Sequence, residues 1–170
     1  MIRHFTATVY IVENEKVLLI FHRKLNKWLP AGGHIDPNET PPVCAKREAL
    51  EETGLEIELI AQENIWVNRT NAKSFERPFM CLLEDVPARS DQPAHQHIDL
   101  IYLGRPIGGK EIQNVDETDG LKWFSLEEIE ALESDQEIFE ETKEAIRTIF
   151  LGNFYDQKCN IYSGDRAECR

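Results

Sequence analysis

Gly33-His34-Ile35-Asp36-Pro37-Asn38-Glu39-Thr40-Pro41-Pro42-Val43-Cys44-Ala45-Lys46-Arg47-Glu48-Ala49-Leu50-Glu51-Glu52-Thr53-Gly54-Leu55 reads as a loop, a short helix and a glycine stop. Thr40 suits the N-cap and Pro41 the first helical position, where its missing N–H costs nothing. Gly54 suits the position after the helix, because glycine accepts the left-handed conformation found there. Glu48, Glu51 and Glu52 stand at i, i+3 and i+4. At ~100° per residue their carboxylates fall on one face. Val43 and Leu50 share another face, the expected seat on the core.

Three carboxylates on one face repel each other, and a divalent cation with a taste for oxygen ligands offsets that. Mg²⁺ is commonly held by one or two carboxylates together with the phosphates of a substrate. The lead-in Pro30-Ala31-Gly32-Gly33 adds consecutive glycines, which let backbone approach a ligand closely. The helix face alone leaves a plain acidic surface open.

The stretch resembles the Nudix box, G-x5-E-x7-R-E-U-x-E-E-x-G-U with U a bulky aliphatic. Gly33, Glu39, Arg47, Glu48, Glu51, Glu52, Gly54 and Leu55 match, and small Ala49 fills the first U. Seven fixed letters in this register would co-occur by chance on the order of 10⁻⁵ times per chain. Trp28-Leu29-Pro30-Ala31-Gly32-Gly33-His34-Ile35 is similar to the family's usual lead-in, with Ala31 where glycine is frequent.

The resemblance implies an α/β fold, the Nudix sandwich of helices on either side of a mixed, curved sheet. It implies hydrolysis of a phosphoanhydride in a nucleoside diphosphate linked to another moiety, with Mg²⁺ or Mn²⁺ as cofactor. Glu48, Glu51 and Glu52 would ligate metal, with the carbonyl of Gly32. Glu48 or Glu51 would orient or deprotonate the attacking water. Arg47 would pin a glutamate, and Glu39 would anchor the loop on the helix. One further carboxylate is expected before Trp123: Glu117, with Asp119 the runner-up, or else an ordinary acidic loop. Triphosphates, ADP-ribose and other nucleotide sugars, and dinucleoside polyphosphates all stay open as substrates. A non-catalytic nucleotide sensor is the alternative class. The accessory motif of a coenzyme A pyrophosphatase and the cysteine motif of an isopentenyl diphosphate isomerase are not found.

The 170 residues suit one domain, read as 1–152, followed by a polar tail at 153–170. That tail is either frayed or an arm laid on a partner subunit in a homodimer. Apolar content of 41% and charged content of 29% are those of a globular protein. A net charge of −12 argues against nucleic acid or an anionic membrane as partner. Cys44, Cys81, Cys159 and Cys169 show no zinc spacing and read as reduced thiols, with a Cys159–Cys169 disulfide left open. No signal or membrane span stands out, so a cytoplasmic protein is expected.

Along the chain, Phe5–Val12 reads as a strand with one wetter face, and Lys16–His22 as a central strand paired with it in a hairpin. Arg23–Lys27 is a basic loop, placed beside the pocket by the Nudix resemblance or else serving solubility alone. Arg23 is a candidate phosphate ligand, and Trp28 packs near a base or in the core. Glu56–Asn68 reads as a long strand, bulged near Gln62-Glu63, that makes a second hairpin with Arg77–Glu84. Trp66 and Phe79 are core candidates, with the pocket as alternative. Val86–Gln96 is a loop and His97–Leu103 a strand. His95 and His97 point the same way but lack a third ligand in sequence, so they read as edge or surface residues. Gly108-Gly109 reads as a turn. A capping box, Ser125 with Glu128, starts a helix to about Leu132, and a second helix spans Gln136–Phe150.

Overall fold

The first hairpin sets the sheet. Strands β1 (Ile2–Glu13) and β2 (Lys16–His22) pair antiparallel, Ile11 opposite Leu18 and Glu13 opposite Lys16. The two residues between them, Asn14 and Glu15, both have positive φ, 50° and 58°. That is the mirror-image turn whose twist matches a two-residue hairpin. The computed structural model describes residues 1–89, 92–116 and 118–156.

β3 (Lys27–Leu29) pairs with β2, and β4 (Ala31–His34) pairs antiparallel with β1, Val9 opposite Ala31 and Thr6 opposite His34. Helix α1 (Pro41–Thr53) then leads into β5 (Leu55–Leu59). β6 (Met80–Val86), the 15-residue β7 (His95–Gly109) and β8 (Thr118–Ser125) complete the sheet. β8 returns to pair with β2. α2 (Leu126–Ala131) and α3 (Glu140–Leu151) follow, and a short 3-10 turn covers Phe154–Asp156.

β7 is the second organiser. One edge runs parallel to β1, from Ile2 opposite His95 to Ile11 opposite Gly104. The other edge serves β6 first and then β5, both antiparallel. This corrects the expected second hairpin. β5 stops at Leu59, not near Asn68, and β5 and β6 each pair with β7 instead of with each other. The chain leaves β7 where the Ile60 N–H donates to Leu103 O and rejoins it where the Phe79 N–H donates to Ile101 O. The segment between loops out. Gly108 and Gly109, expected as a turn, are the last residues of β7, opposite Glu56 and Leu55.

The sheet carries a core on each face. On one, Tyr10, Leu19, Ile101 and Phe124 meet Ile129, Ile146 and Ile149 of the C-terminal helices. On the other, Val9, Ile11, Ala31 and Tyr102 meet Cys44, Ala45 and Ala49 of α1. This is the expected α/β sandwich. β1 runs through its middle, so the expected wetter face is buried: Tyr10 and Val12 are only 2% and 4% exposed. Phe79 packs on the core against Phe154, with ring centroids 5.1 Å apart, whereas Trp66 is among the exposed side chains.

The capping box forms as read: the Glu128 N–H donates to Ser125 Oγ at 3.2 Å, and the Ser125 N–H to Glu128 Oε2 at 2.9 Å. α3 starts at Glu140, four residues later than its periodicity suggests. The intervening residues pair with β3 instead, through the Trp28 N–H on Glu137 O at 2.8 Å, and Ile138 is fully buried there. Residues 157–170, most of the expected tail, lie outside the described residues.

Candidate active site

Helix α1 begins after Thr40, whose carbonyl accepts from Val43 and Cys44 at 3.0 Å each. The Thr40 hydroxyl makes no cap, so the position is as expected but the side-chain hydrogen bond is not. Gly54 ends the helix at φ 75°, its N–H donating to Leu50 O at 2.9 Å. The seat of the helix differs from expectation. Val43 and Leu50 are 54% and 48% exposed, and Cys44, Ala45 and Ala49 face the sheet. Small side chains let α1 approach β4 closely, which larger aliphatics would prevent. The Cys44 thiol donates to His34 O at 3.4 Å, and burial pushes its pKa up to about 12.

That close approach brings the box residues together. Arg47 sits at the centre. Its Nε and Nη2 donate to Oε1 and Oε2 of Glu39, both at 3.0 Å. Its Nη1 donates to Glu48 Oε1 at 2.7 Å and to Glu51 Oε2 at 3.0 Å. Nη2 also reaches His34 O at 3.2 Å. The guanidinium thus offsets the repulsion between two carboxylates and ties the loop to the helix. The hydrogen bond from Arg47 holds the Glu39 carboxyl below the usual carboxylate range. Glu39 also accepts from the Asp36 N–H at 3.1 Å.

The glycines close the other side. The Gly32 N–H donates to Oε2 of the buried Glu52 at 3.0 Å. A Cβ on Gly33 would run into the carboxylate of Glu48. The Glu48 carboxylate therefore occupies the room a Gly33 side chain would take, and the Glu52 carboxylate lies on the Gly32 N–H. This donor set is all oxygen and strongly anionic, which suits a hard divalent cation and not a soft one.

A hollow of about 540 Å³ adjoins Glu51 and is walled by Leu50, Gly54, Ile112 and Val115. The wall is zipped to the end of α1 by backbone bonds, Lys110 N–H to Gly54 O at 3.1 Å and Ile112 N–H to Thr53 O at 2.9 Å. Arg23 holds the same segment from behind: its guanidinium donates to Val115 O at 2.6 Å, Asp116 O at 3.0 Å and Asp119 Oδ1 at 2.9 Å.

The structure thus gathers Gly32, Gly33, Glu39, Arg47, Glu48, Glu51, Glu52 and Gly54. It does not bring Trp28 to them. That indole packs edge-on against Phe21 and Phe124 in the core on the opposite face of the sheet. Arg23 contacts the wall of the hollow, and Asp119 is its ion-pair partner. Glu117 lies outside the described residues.

The chain matches the NUDIX domain over residues 2–146. The chain belongs to the NUDIX family. It is 31% identical to a NUDIX hydrolase from Clostridium perfringens, whose crystal structure superposes with a TM-score of 0.68 over 88% of this chain and 99% of that one. A Bacillus subtilis (strain 168) protein named "Putative 8-oxo-dGTP diphosphatase" is 26% identical over 124 residues, 71% of this chain and 67% of the relative. A solved UDP-X diphosphatase shares the fold at 20% identity, with a TM-score of 0.59 over 90% of this chain and 65% of that one. The chain is a Nudix hydrolase, an enzyme of the pyrophosphohydrolase type. No helix among the described residues is long and apolar enough to cross a membrane.

Sequence reasoning missed one feature. His95 and His97 are not alone: His4 of β1 and His34 of β4 join them. No local spacing reveals this, because the β1–β7 register alone sets His4 opposite His97.

Proposed function

We propose that this Nudix hydrolase cleaves the phosphoanhydride of a nucleoside diphosphate linked to another moiety, with Mg²⁺ or Mn²⁺ held by Glu48, Glu51 and Glu52. The carrying observation is the all-oxygen cluster on one helix face, closed by backbone at Gly32 and Gly33. When bound, the cation neutralises phosphate charge and lowers the pKa of an attached water. The Gly32 carbonyl is a further candidate ligand, and Glu117 a candidate extra carboxylate. Glu48 or Glu51 orients the attacking water or takes its proton. Arg47 touches both carboxylates and fixes their spacing, and Glu39 fixes Arg47. Arg23 supports the wall beside Glu51.

For the substrate, a nucleoside triphosphate, oxidised or not, is favoured by the 26% identical Bacillus subtilis relative. Nucleotide sugars and dinucleoside polyphosphates are the comparison set. The test is phosphate release, with an auxiliary phosphatase for monophosphate products, across that panel with Mg²⁺, Mn²⁺ or EDTA. The reading requires turnover that EDTA abolishes and that falls by orders of magnitude in Glu51→Gln. Metal-independent turnover, or an undiminished Glu51→Gln variant, would reject it.

A further inference from the structure

Four of the five histidines of this chain, His4, His34, His95 and His97, meet at one corner of the sheet. They come from three strands. β1 and β7 run parallel with His4 opposite His97, and β4 sets His34 opposite Thr6. The fifth, His22, lies on β2.

The ring nitrogens converge. His34 Nε2 lies 3.4 Å from His4 Nδ1, and His95 Nε2 lies 3.2 Å from His97 Nε2. One nitrogen from each of His4, His34 and His97 falls within 4.8 Å of the others. Nitrogens bound to one tetrahedral zinc ion at 2.0–2.1 Å stand about 3.3 Å apart. Among these three the His34–His4 separation already has that value, as has His95–His97 beside them, and ring movements on the order of 1 Å would close the rest.

The outer contacts also suit metal-bound imidazoles, which give their second nitrogen to a carbonyl or carboxylate. His95 Nδ1 lies 2.9 Å from Pro93 O, which can only accept. That bond makes Nδ1 the donor and leaves the lone pair on Nε2, the atom facing His97. His97 Nδ1 has Glu84 Oε2 at 3.9 Å, near but outside hydrogen-bond distance. Burial first, then the neighbouring imidazoles, lowers the pKa of His34 and takes that of His97 down to about 4.

We propose that His4, His34 and His97, with His95 in reserve, bind a borderline transition-metal ion, zinc(II) by preference, at a site separate from the glutamate cluster. Imidazole donors select zinc, nickel, cobalt or copper over Mg²⁺ and Ca²⁺. The chain would then carry two metal sites of opposite chemistry, one nitrogen-lined and one oxygen-lined. The bound ion would cross-link β1, β4 and β7 at the end of the strand that carries Gly32 and Gly33. This inference stands on the cluster geometry and does not depend on the proposed reaction.

The test uses untagged full-length protein stripped with EDTA and held in saturating Mg²⁺, so that the carboxylates are occupied. Zinc is titrated by calorimetry and Co²⁺ by its visible d–d bands. One ion per chain is expected, with nitrogen-type Co²⁺ spectra and a raised Tm. His97→Ala should weaken it by at least ~100-fold, since a direct ligand counts for no less than an outer-shell partner. His34→Gln, at an exposed position, should do so without a folding cost. His22→Ala should leave it intact. Absence of saturable binding, binding that survives both cluster variants, or binding lost in Glu51→Gln but not in His34→Gln would each overturn the proposal. A purely hydrogen-bonded histidine network gives the first of these results.

Discussion

Arg47 grips both carboxylate oxygens of Glu39, Nε on Oε1 and Nη2 on Oε2, each at 3.0 Å. The same guanidinium reaches Glu48 and Glu51 with Nη1. Only a planar fork of five donors can do this, and a lysine ammonium cannot. Arg47→Lys should therefore stay folded and lose about 10–100-fold in kcat/KM and in divalent-metal affinity. Steady-state kinetics and a metal titration on the variant check this.

Glu39 makes the clamp pH-dependent. Its carboxyl is held low by the Arg47 hydrogen bond, so the unfolded chain binds a proton before the folded one does. The stabilisation is complete above the unfolded value of about 4.3 and disappears as pH falls through the lower folded value. Glu39→Gln should thus lower Tm at pH 7. The deficit should shrink on acidification below pH 4.3 or so, as thermal melts across pH would show.

Two glycines should fail in different ways. A Gly33→Ala methyl strikes the Glu48 carboxylate, a flexible side chain that can move away. The protein should fold, with activity down by about 100-fold if Glu48 plays its proposed part and is misplaced. At Gly54 the backbone has φ 75° and a Cβ would strike Lys110 O, which cannot swing aside. Gly54→Ala should cost more than about 1 kcal/mol in urea denaturation.

The small-residue seat of α1 predicts an inverted pattern of tolerance. Exposed Val43→Ala should change stability by no more than about 0.5 kcal/mol. Buried Ala49→Leu should cost about 1–3 kcal/mol by overpacking against the sheet. Chemical denaturation of the two variants separates this seat from one built on Val43 and Leu50.

Cys44 should be inert in the native state. It is buried, its pKa is pushed up to about 12, and it faces carbonyls. Cys81 is exposed to reagent. Native alkylation followed by peptide mapping should modify Cys81 and leave Cys44 intact until the protein is unfolded.

What was legible in the sequence was local. The start and stop of α1, the β1–β2 hairpin and the Ser125–Glu128 capping box depend on residues within a few positions of each other. The box letters Glu39, Glu48 and Glu51 mark side chains that the structure gathers around Arg47. What was not legible depended on partners far along the chain. Val43 and Leu50 looked like a core face because they are large and apolar, but the close fit against β4 favours Ala45 and Ala49. The strand read from Glu56 to Asn68 ends at Leu59 because the β7 edge is shared with β6. The histidines could not be grouped without knowing that β1 and β7 run side by side.

That pairing also governs how the chain comes together in time. The Thr6 hydroxyl donates to Asp99 Oδ1 across 93 positions of sequence, and ten rungs of parallel ladder surround it. On a ribosome, β1 can form its turn with β2 early and receive β4 soon after. Its other edge stays bare until residue 104 has been made. Closing so large a loop before any reward is gained is the slow step of high-contact-order folding. The middle of the sheet thus waits on residues far along the chain, and the histidine corner cannot exist before it.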